Sequence, residues 1–203
     1  MTLALSSAPS LLRLSPNASQ PERALLEELA SRLRARDDVL VDRVLRELVP
    51  EVRRWMLRQL GPRPDLDDAV QDSLSAIAAA LHRFEGRSSL ATLAHRITLR
   101  TSYRYYRRRR PLELVEPDVV SSDDPEARVR ARRALARLHD ALGALPERRR
   151  AAFVLCAVEG LDPSEAAEVL GVTGNAMRSL LCRARQQLEA LLEGDDELGG
   201  RAS

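Results

Sequence analysis

The stretch that decides the fold is Asp162-Pro163-Ser164-Glu165-Ala166-Ala167-Glu168-Val169-Leu170-Gly171-Val172-Thr173-Gly174-Asn175-Ala176-Met177-Arg178-Ser179-Leu180-Leu181-Cys182-Arg183-Ala184-Arg185. An N-cap acid, a proline in the first turn and a glutamate placed to bond back to the cap open a short helix. Leu170-Gly171 closes it, Val172 packs into the elbow, and Thr173 caps the next helix. Met177, Leu181, Ala184 and Leu188 then recur at helical spacing on one inner face. Asn175, Arg178, Ser179, Cys182 and Arg185 lie on the opposite face. A short helix, a glycine turn and a longer helix with basic and amide side chains outward form the arrangement that places a recognition helix in the major groove. Arg178 is expected to read guanine in a bidentate contact, worth about 1–3 kcal/mol of discrimination, with Arg183 and Arg185 on phosphates. The same pattern alone also fits an ordinary helical hairpin with a solvated charged face, so the surroundings must decide.

Those surroundings are helical throughout. Leu, Ala, Arg and Glu dominate the 203 residues and aromatic residues make up 3%, so propensity summed over long windows favours helix. We expect an all-α protein of two small helical domains joined by a flexible linker. The net charge of +2 hides a segregation: arginines crowd positions 100–110, and acids follow around Glu116–Glu126. The two cysteines, Cys156 and Cys182, have neither zinc-site spacing nor disulfide density and read as buried or incidental thiols. No apolar run approaches the roughly 18 residues of a membrane span, and no basic segment precedes the short apolar stretch near the start. The expectation is a cytoplasmic protein without membrane insertion.

Working outward towards the start, residues 1–20 interleave serines with prolines and are expected to be disordered. Ser19-Gln20-Pro21-Glu22 starts a helix with Leu25, Leu26, Leu29 and Leu33 on one face. Val41, Val44, Leu45 and Leu48 give a second helix to Pro50, and Val52, Trp55, Met56 and Leu60 a third, stopped at Gly61-Pro62. Asp65 caps a helix bearing Ala69, Val70, Leu74, Ile77 and Leu81. After the loop Phe84–Ser89, Leu90, Leu93, Ala94 and Ile97 begin a helix that carries the basic tract. All three tyrosines, Tyr103, Tyr105 and Tyr106, fall in that tract; interleaved aromatic and basic residues suit single-stranded nucleic acid, with one ring expected to pack inward. Residues 111–124 read as a linker and 194–203 as a flexible tail. In the 125–193 domain, Leu135, Leu138 and Leu142 form one apolar face, and Phe153, Val154, Leu155 and Val158 define the next helix, closed by Gly160.

Leu145-Pro146-Glu147-Arg148-Arg149-Arg150, Glu159-Gly160-Leu161, Glu165-Ala166-Ala167, Leu170-Gly171-Val172 and Arg183-Ala184-Arg185-Gln186-Gln187-Leu188 together are similar to region 4 of extracytoplasmic-function sigma factors. Asp67-Asp68-Ala69-Val70-Gln71-Asp72-Ser73-Leu74, Phe84, Leu93-Ala94-His95-Arg96-Ile97 and the arginine block resemble region 2, so the likeness spans most of residues 43–192. The resemblance implies a region 2 bundle over 21–110 and a region 4 helix-turn-helix over 125–193, clamped onto core RNA polymerase through its β′ clamp and β subunit. It implies that region 2 melts and reads the downstream promoter element while region 4 reads the upstream one. It places Asp68, Gln71 and Asp72 on the polymerase, Arg96, Arg100, Arg104 and Arg107 along the displaced strand, and Asn175, Arg178, Ser179, Arg183 and Arg185 on duplex DNA. It also implies an anti-sigma partner that masks the polymerase-binding faces. The chain departs from the family pattern at Leu93, Arg100, Arg104 and Leu180, where tryptophan, asparagine, aspartate and a basic residue are common.

Opening about ten base-pair steps costs on the order of 14 kcal/mol at about 1.4 kcal/mol per step, whereas a stacked base returns only about 1–3 kcal/mol. The isolated chain is therefore expected to bind duplex weakly and to act with polymerase. A one-component helix-turn-helix regulator would need a sensor or dimer domain where this chain has the Asp68/Gln71 helix; a sigma-like adaptor acting without core polymerase would keep the fold and lose the promoter contacts. An enzyme is disfavoured. His82, His95 and His139 are scattered, no nucleophile motif or glycine-rich phosphate loop appears, and the adjacent Asp67 and Asp68 point about 100° apart on a helix. No catalytic residue, metal ligand or cofactor is expected.

Overall fold

The computed structural model describes residues 10–107 and 125–199. The expected linker, 111–124, and the first nine residues lie outside that range. A 3-10 turn, Leu11–Arg13, precedes eight α-helices: α1 Gln20–Arg34, α2 Asp38–Leu60, α3 Leu66–Leu81, α4 Leu90–Arg107, α5 Pro125–Ala144, α6 Glu147–Phe153, α7 Pro163–Leu170 and α8 Gly174–Gly199. The described residues contain no strand, as expected for an all-α chain. They divide into two compact units, one reaching Leu57 and resuming over Asp65–Tyr105, the other comprising Arg58–Pro64 and everything from Tyr106 onward.

In the first unit, Val44, Leu48, Val52 and Met56 recur every fourth residue and are all fully buried. That stripe explains a difference from the sequence reading, which broke the chain at Pro50: α2 runs unbroken with Pro50 inside it. An interior proline removes a helical hydrogen bond and costs about 3 kcal/mol or more. Burial of a Val, Leu or Met side chain contributes about 1.5–3 kcal/mol, so the four residues of one stripe outweigh it. Between α1 and α2, Arg32 holds Asp37 at 2.5 Å while Asp37 Oδ1 accepts from the Leu40 amide at 3.1 Å. These bonds, the Arg32 one foremost, hold the Asp37 carboxyl below its usual range.

Within the stretch expected to be disordered, 1–20, the described residues from Ser10 onward pack against α2. Ser10 caps the 3-10 turn, its hydroxyl and the Leu11 amide both donate to Glu47 Oε2 on α2 at 3.3 and 3.2 Å, and Leu11, Leu12 and Leu14 are buried. The serines and prolines that mark a loop are present, but three leucines beside them give the loop something to bury.

The second unit is organised around α8. Ala141, Leu142 and Leu145 pack with Ala184 and Leu188, and Leu138 and Phe153 join from the rim. Two expected core positions stay outside: Leu135 is 47% and Val158 43% exposed. After Phe153 the helix widens into a π turn over Val154–Val158, which rotates Val158 away from the register that buries Val154 and Leu155. Helix α8 continues to Gly199, into the segment read as a tail. His139 on α5 is a half-buried titratable group of this unit. A Cβ on Gly61, whose φ is +72°, would come within 2.8 Å of its ring, and the Tyr106 ring lies 6.0 Å away.

Two outcomes follow from this packing. Leu11→Ala leaves a cavity in the first unit and should cost about 2–5 kcal/mol. Denaturant unfolding followed through Trp55, the single tryptophan, reads it, and an unchanged midpoint would contradict the packing. Burial, the largest cause, lowers the His139 pKa, so the unfolded chain binds a proton that the folded one resists. Stability of the second unit should be fully present above the ordinary histidine value of about 6.5 and fall as pH drops below it. His139→Gln should flatten that dependence between about pH 7.5 and pH 5.5, where carboxylates remain ionised; an unaltered slope in amide exchange of α8 would contradict it.

Candidate polymerase and nucleic-acid interface

Helix α3 has two faces with different tasks. Ala69, Val70, Ser73, Ile77 and Leu81 are buried, and the Ser73 hydroxyl is satisfied by donating to the Ala69 carbonyl at 2.9 Å. Asp68, Gln71 and Asp72 are exposed; at 3.6 residues per turn they fall within about 100° of one another, so they form one polar stripe. Asp67, at the edge of that stripe, pairs with Arg53 of α2. Asp65 takes the N-cap position without a side-chain bond to the helix, so α3 starts on backbone geometry and its acidic first turn.

At its far end α3 shares with α4 a cavity of about 460 Å³. Ala76 and Ala80 come from α3, Phe84 and Arg87 from the intervening loop, Leu93 and Arg96 from α4. Small and apolar side chains form its walls, and Arg83, Arg87 and Arg96 lie at its rim together with Glu85, which pairs with Arg87 at 3.0 Å, a surface on which a flat aromatic base can lie with its phosphates facing guanidinium groups. The Ser89 hydroxyl accepts from the Thr92 amide at 3.0 Å, which starts α4 and fixes the loop's exit.

The expected strand-binding arginines do not share one environment. Arg96 lines the cavity and Arg100 is exposed one turn further on. Arg104 approaches Asp72 at 3.4 Å. Arg107, which belongs to the second unit, donates to Glu147 Oε1 at 2.7 Å, and that bond, before burial or Coulomb attraction, lowers the Glu147 pKa and raises that of Arg107. Of the tyrosines, one packs inward as expected. Tyr105 is buried and donates to Asp72. Tyr106 donates to the His139 carbonyl at 3.3 Å and carries the Arg150 guanidinium 3.4 Å above its ring centre. A signal available in the sequence was the phase of the helix, since Tyr105 stands four residues beyond the buried Thr101 and seven beyond the buried Thr98, on one side of α4.

In the second unit the reading of Asp162–Leu188 is realised bond by bond. Asp162 Oδ1 accepts from the Ser164 amide at 2.8 Å while Glu165 Oε2 accepts from the Asp162 amide at 3.0 Å. The Ser164 hydroxyl, the largest cause, and its amide lower the Asp162 pKa. Gly171 closes α7 in the left-handed region at φ 65°, where an added Cβ would meet nothing within 4 Å; the requirement for glycine is conformational rather than steric. Thr173 caps α8 through the Ala176 amide at 3.3 Å. Met177, Leu181, Ala184 and Leu188 are buried, and Asn175, Arg178, Ser179, Cys182, Arg183 and Arg185 are exposed. Arg178 donates to Asn175 Oδ1, so the two amide and guanidinium groups offered for base reading are preset as a pair. Arg149, bonded to Gln187 at 2.8 Å, ties α6 to the far side of the same helix. Cys156 is half-buried, and that burial raises its thiol pKa.

Among the described residues no group of three or more His, Cys, Asp or Glu side chains could hold a metal ion, and no helix is long and apolar enough to cross a membrane.

A two-unit helical protein with a helix-turn-helix in one unit and, in the other, an exposed polar stripe and a cavity at opposite ends of one helix is the class that these features define. Comparison with known proteins specifies it. The Sigma-70 region 2 family matches residues 44–111 and the Sigma-70 region 4 family residues 135–188. The RNA polymerase sigma factor CnrH of Cupriavidus metallidurans is 36% identical over 148 residues, covering 67% of this chain and 78% of its relative. The ECF RNA polymerase sigma factor EcfG of Rhodopseudomonas palustris is 29% identical, over 81% and 89% of the two chains. The fold superposes on the solved structure of CnrH in complex with the cytosolic domain of CnrY with a TM-score of 0.60 and 28% identity, covering 83% of this chain and 97% of that one. It also superposes on RpoE in complex with the anti-sigma factor NepR from Bartonella quintana, at a TM-score of 0.56 over 75% and 96% of the chains; at 22% identity this speaks to fold alone. The chain belongs to the extracytoplasmic-function family of RNA polymerase sigma factors. It is a promoter-directing sigma factor, as the sequence led us to expect.

Proposed function

We propose that the α3 stripe of Asp68, Gln71 and Asp72 docks on core RNA polymerase, with the α3–α4 cavity receiving an unstacked promoter base. Arg96 and Arg100 follow the displaced strand, and Arg107 joins them when its pair with Glu147 opens. In the second unit, Asn175, Arg178 and Ser179 read the major groove of the upstream element, and Arg183 and Arg185 meet phosphates. The protein acts in the cytoplasm as a non-catalytic subunit, without a cofactor. The observation that carries this reading is the pairing, on one helix, of an exposed acidic stripe with an arginine-rimmed cavity of about 460 Å³. A one-component regulator has no use for either feature. An anti-sigma protein is the expected inhibitor; the similar sigma factor CnrH was solved in complex with another protein, the cytosolic domain of CnrY.

In this reading a partner that covers the α3 stripe denies the chain its polymerase without touching the helix-turn-helix. Run-off transcription with purified core polymerase tests the assignment. Wild type should give discrete promoter-dependent transcripts. Arg178→Ala should lose about 1–3 kcal/mol of discrimination at one upstream position, while Arg185→Ala should weaken binding evenly across sequences and lower the salt slope by about one. Transcription indifferent to both substitutions would point to an adaptor that makes no promoter contacts.

A further inference from the structure

Arg104 lies in the basic tract, yet its side chain leaves the path marked by Arg96 and Arg100. It approaches Asp72 Oδ2 on α3 at 3.4 Å. The same oxygen accepts from the Tyr105 hydroxyl at 2.9 Å. Tyr105 is only 4% exposed, so its ring is fixed by packing and its hydroxyl is a rigid anchor rather than a swinging surface group. Two consecutive residues of α4 therefore converge on one carboxylate of the exposed α3 stripe.

We propose that Arg104 and Tyr105 are positioning residues of the polymerase-docking stripe, holding the Asp72 carboxylate in place, and that Arg104 is not a DNA contact. The inference rests on the reading of Asp68, Gln71 and Asp72 as that stripe. Both side chains of the ion pair are about half exposed, 58% for Arg104 and 48% for Asp72, so the pair adds little to folding. Its effect lies in preorganisation. An exposed aspartate would otherwise lose rotamer freedom when a partner binds it, and ordering a side chain at an interface costs about 0.5–1.5 kcal/mol. Tyr105 and Arg104 hold Oδ2, and a carboxylate has a second oxygen with its own lone pairs for a cationic group of the partner. The partner chemistry that fits is an arginine or lysine presented by a helix or loop of the polymerase, received between Asp68 and Asp72.

Equilibrium binding of the labelled full chain to core polymerase, with promoter binding by the assembled holoenzyme measured beside it, tests this. Tyr105→Phe keeps the buried ring and removes only the hydroxyl. It and Arg104→Ala should each weaken core binding about three- to tenfold, the range set by ordering one side chain. Neither should weaken it further in an Asp72→Asn background, and promoter affinity of saturated holoenzyme and its salt slope should stay at wild type. If Arg104→Ala leaves core binding intact and instead lowers promoter affinity with a shallower salt slope, Arg104 is a phosphate contact and the inference fails while the stripe stands. If Asp72→Asn itself leaves core binding unchanged, the stripe assignment fails and takes the inference with it.

Discussion

The packing of α3 against α4 is the constraint on which the first unit's function depends. Tyr105 reaches Asp72 near one end and Leu93 and Arg96 share a cavity with Ala76 and Ala80 at the other, so the two helices run antiparallel. An apolar face along α3 must be buried to make this pair, and burying it leaves Asp68, Gln71 and Asp72 outward with no freedom to turn elsewhere. The exposed polar stripe and the cavity are thus two consequences of one helix rotation. A shift of one residue in α3 would turn both by about 100°.

The second unit meets the same demand by different means. Its recognition helix is fixed at the start by Gly171 and Thr173 and along its length by Met177, Leu181, Ala184 and Leu188, which leaves a short outward face bearing one preset Asn175–Arg178 pair. One such helix makes a handful of base and phosphate contacts, and melting about ten base-pair steps costs on the order of 14 kcal/mol. Neither unit alone holds enough contact to offset that. In the proposed assembly the polymerase would supply the remainder and, by holding both units, would raise the effective concentration of each at its own element.

How much of this was legible in the sequence depends on the range of the interactions. The capping box at Asp162, the turn at Gly171 and the α8 inner face are set within four residues of chain and were readable outright. Pro50 misled because its cost is local and the Val44–Met56 stripe that overrides it gains its energy from distant helices. Leu11 was missed for the same reason: its partner Glu47 lies 36 residues on. At the site, the exposed stripe and the helical phase of Arg96 and Arg100 could be read. The engagement of Arg104 with Asp72 and of Arg107 with Glu147 could not, since an arginine's side-chain direction is decided by acids brought near only after folding.

Affinity for a labelled promoter duplex, measured for the chain alone and with core polymerase at one salt concentration, tests most directly whether promoter recognition belongs to the assembly. The account predicts weak binding by the free chain, indifferent to promoter sequence, and tight sequence-selective binding once core is added. Equal and selective affinity without core would contradict it.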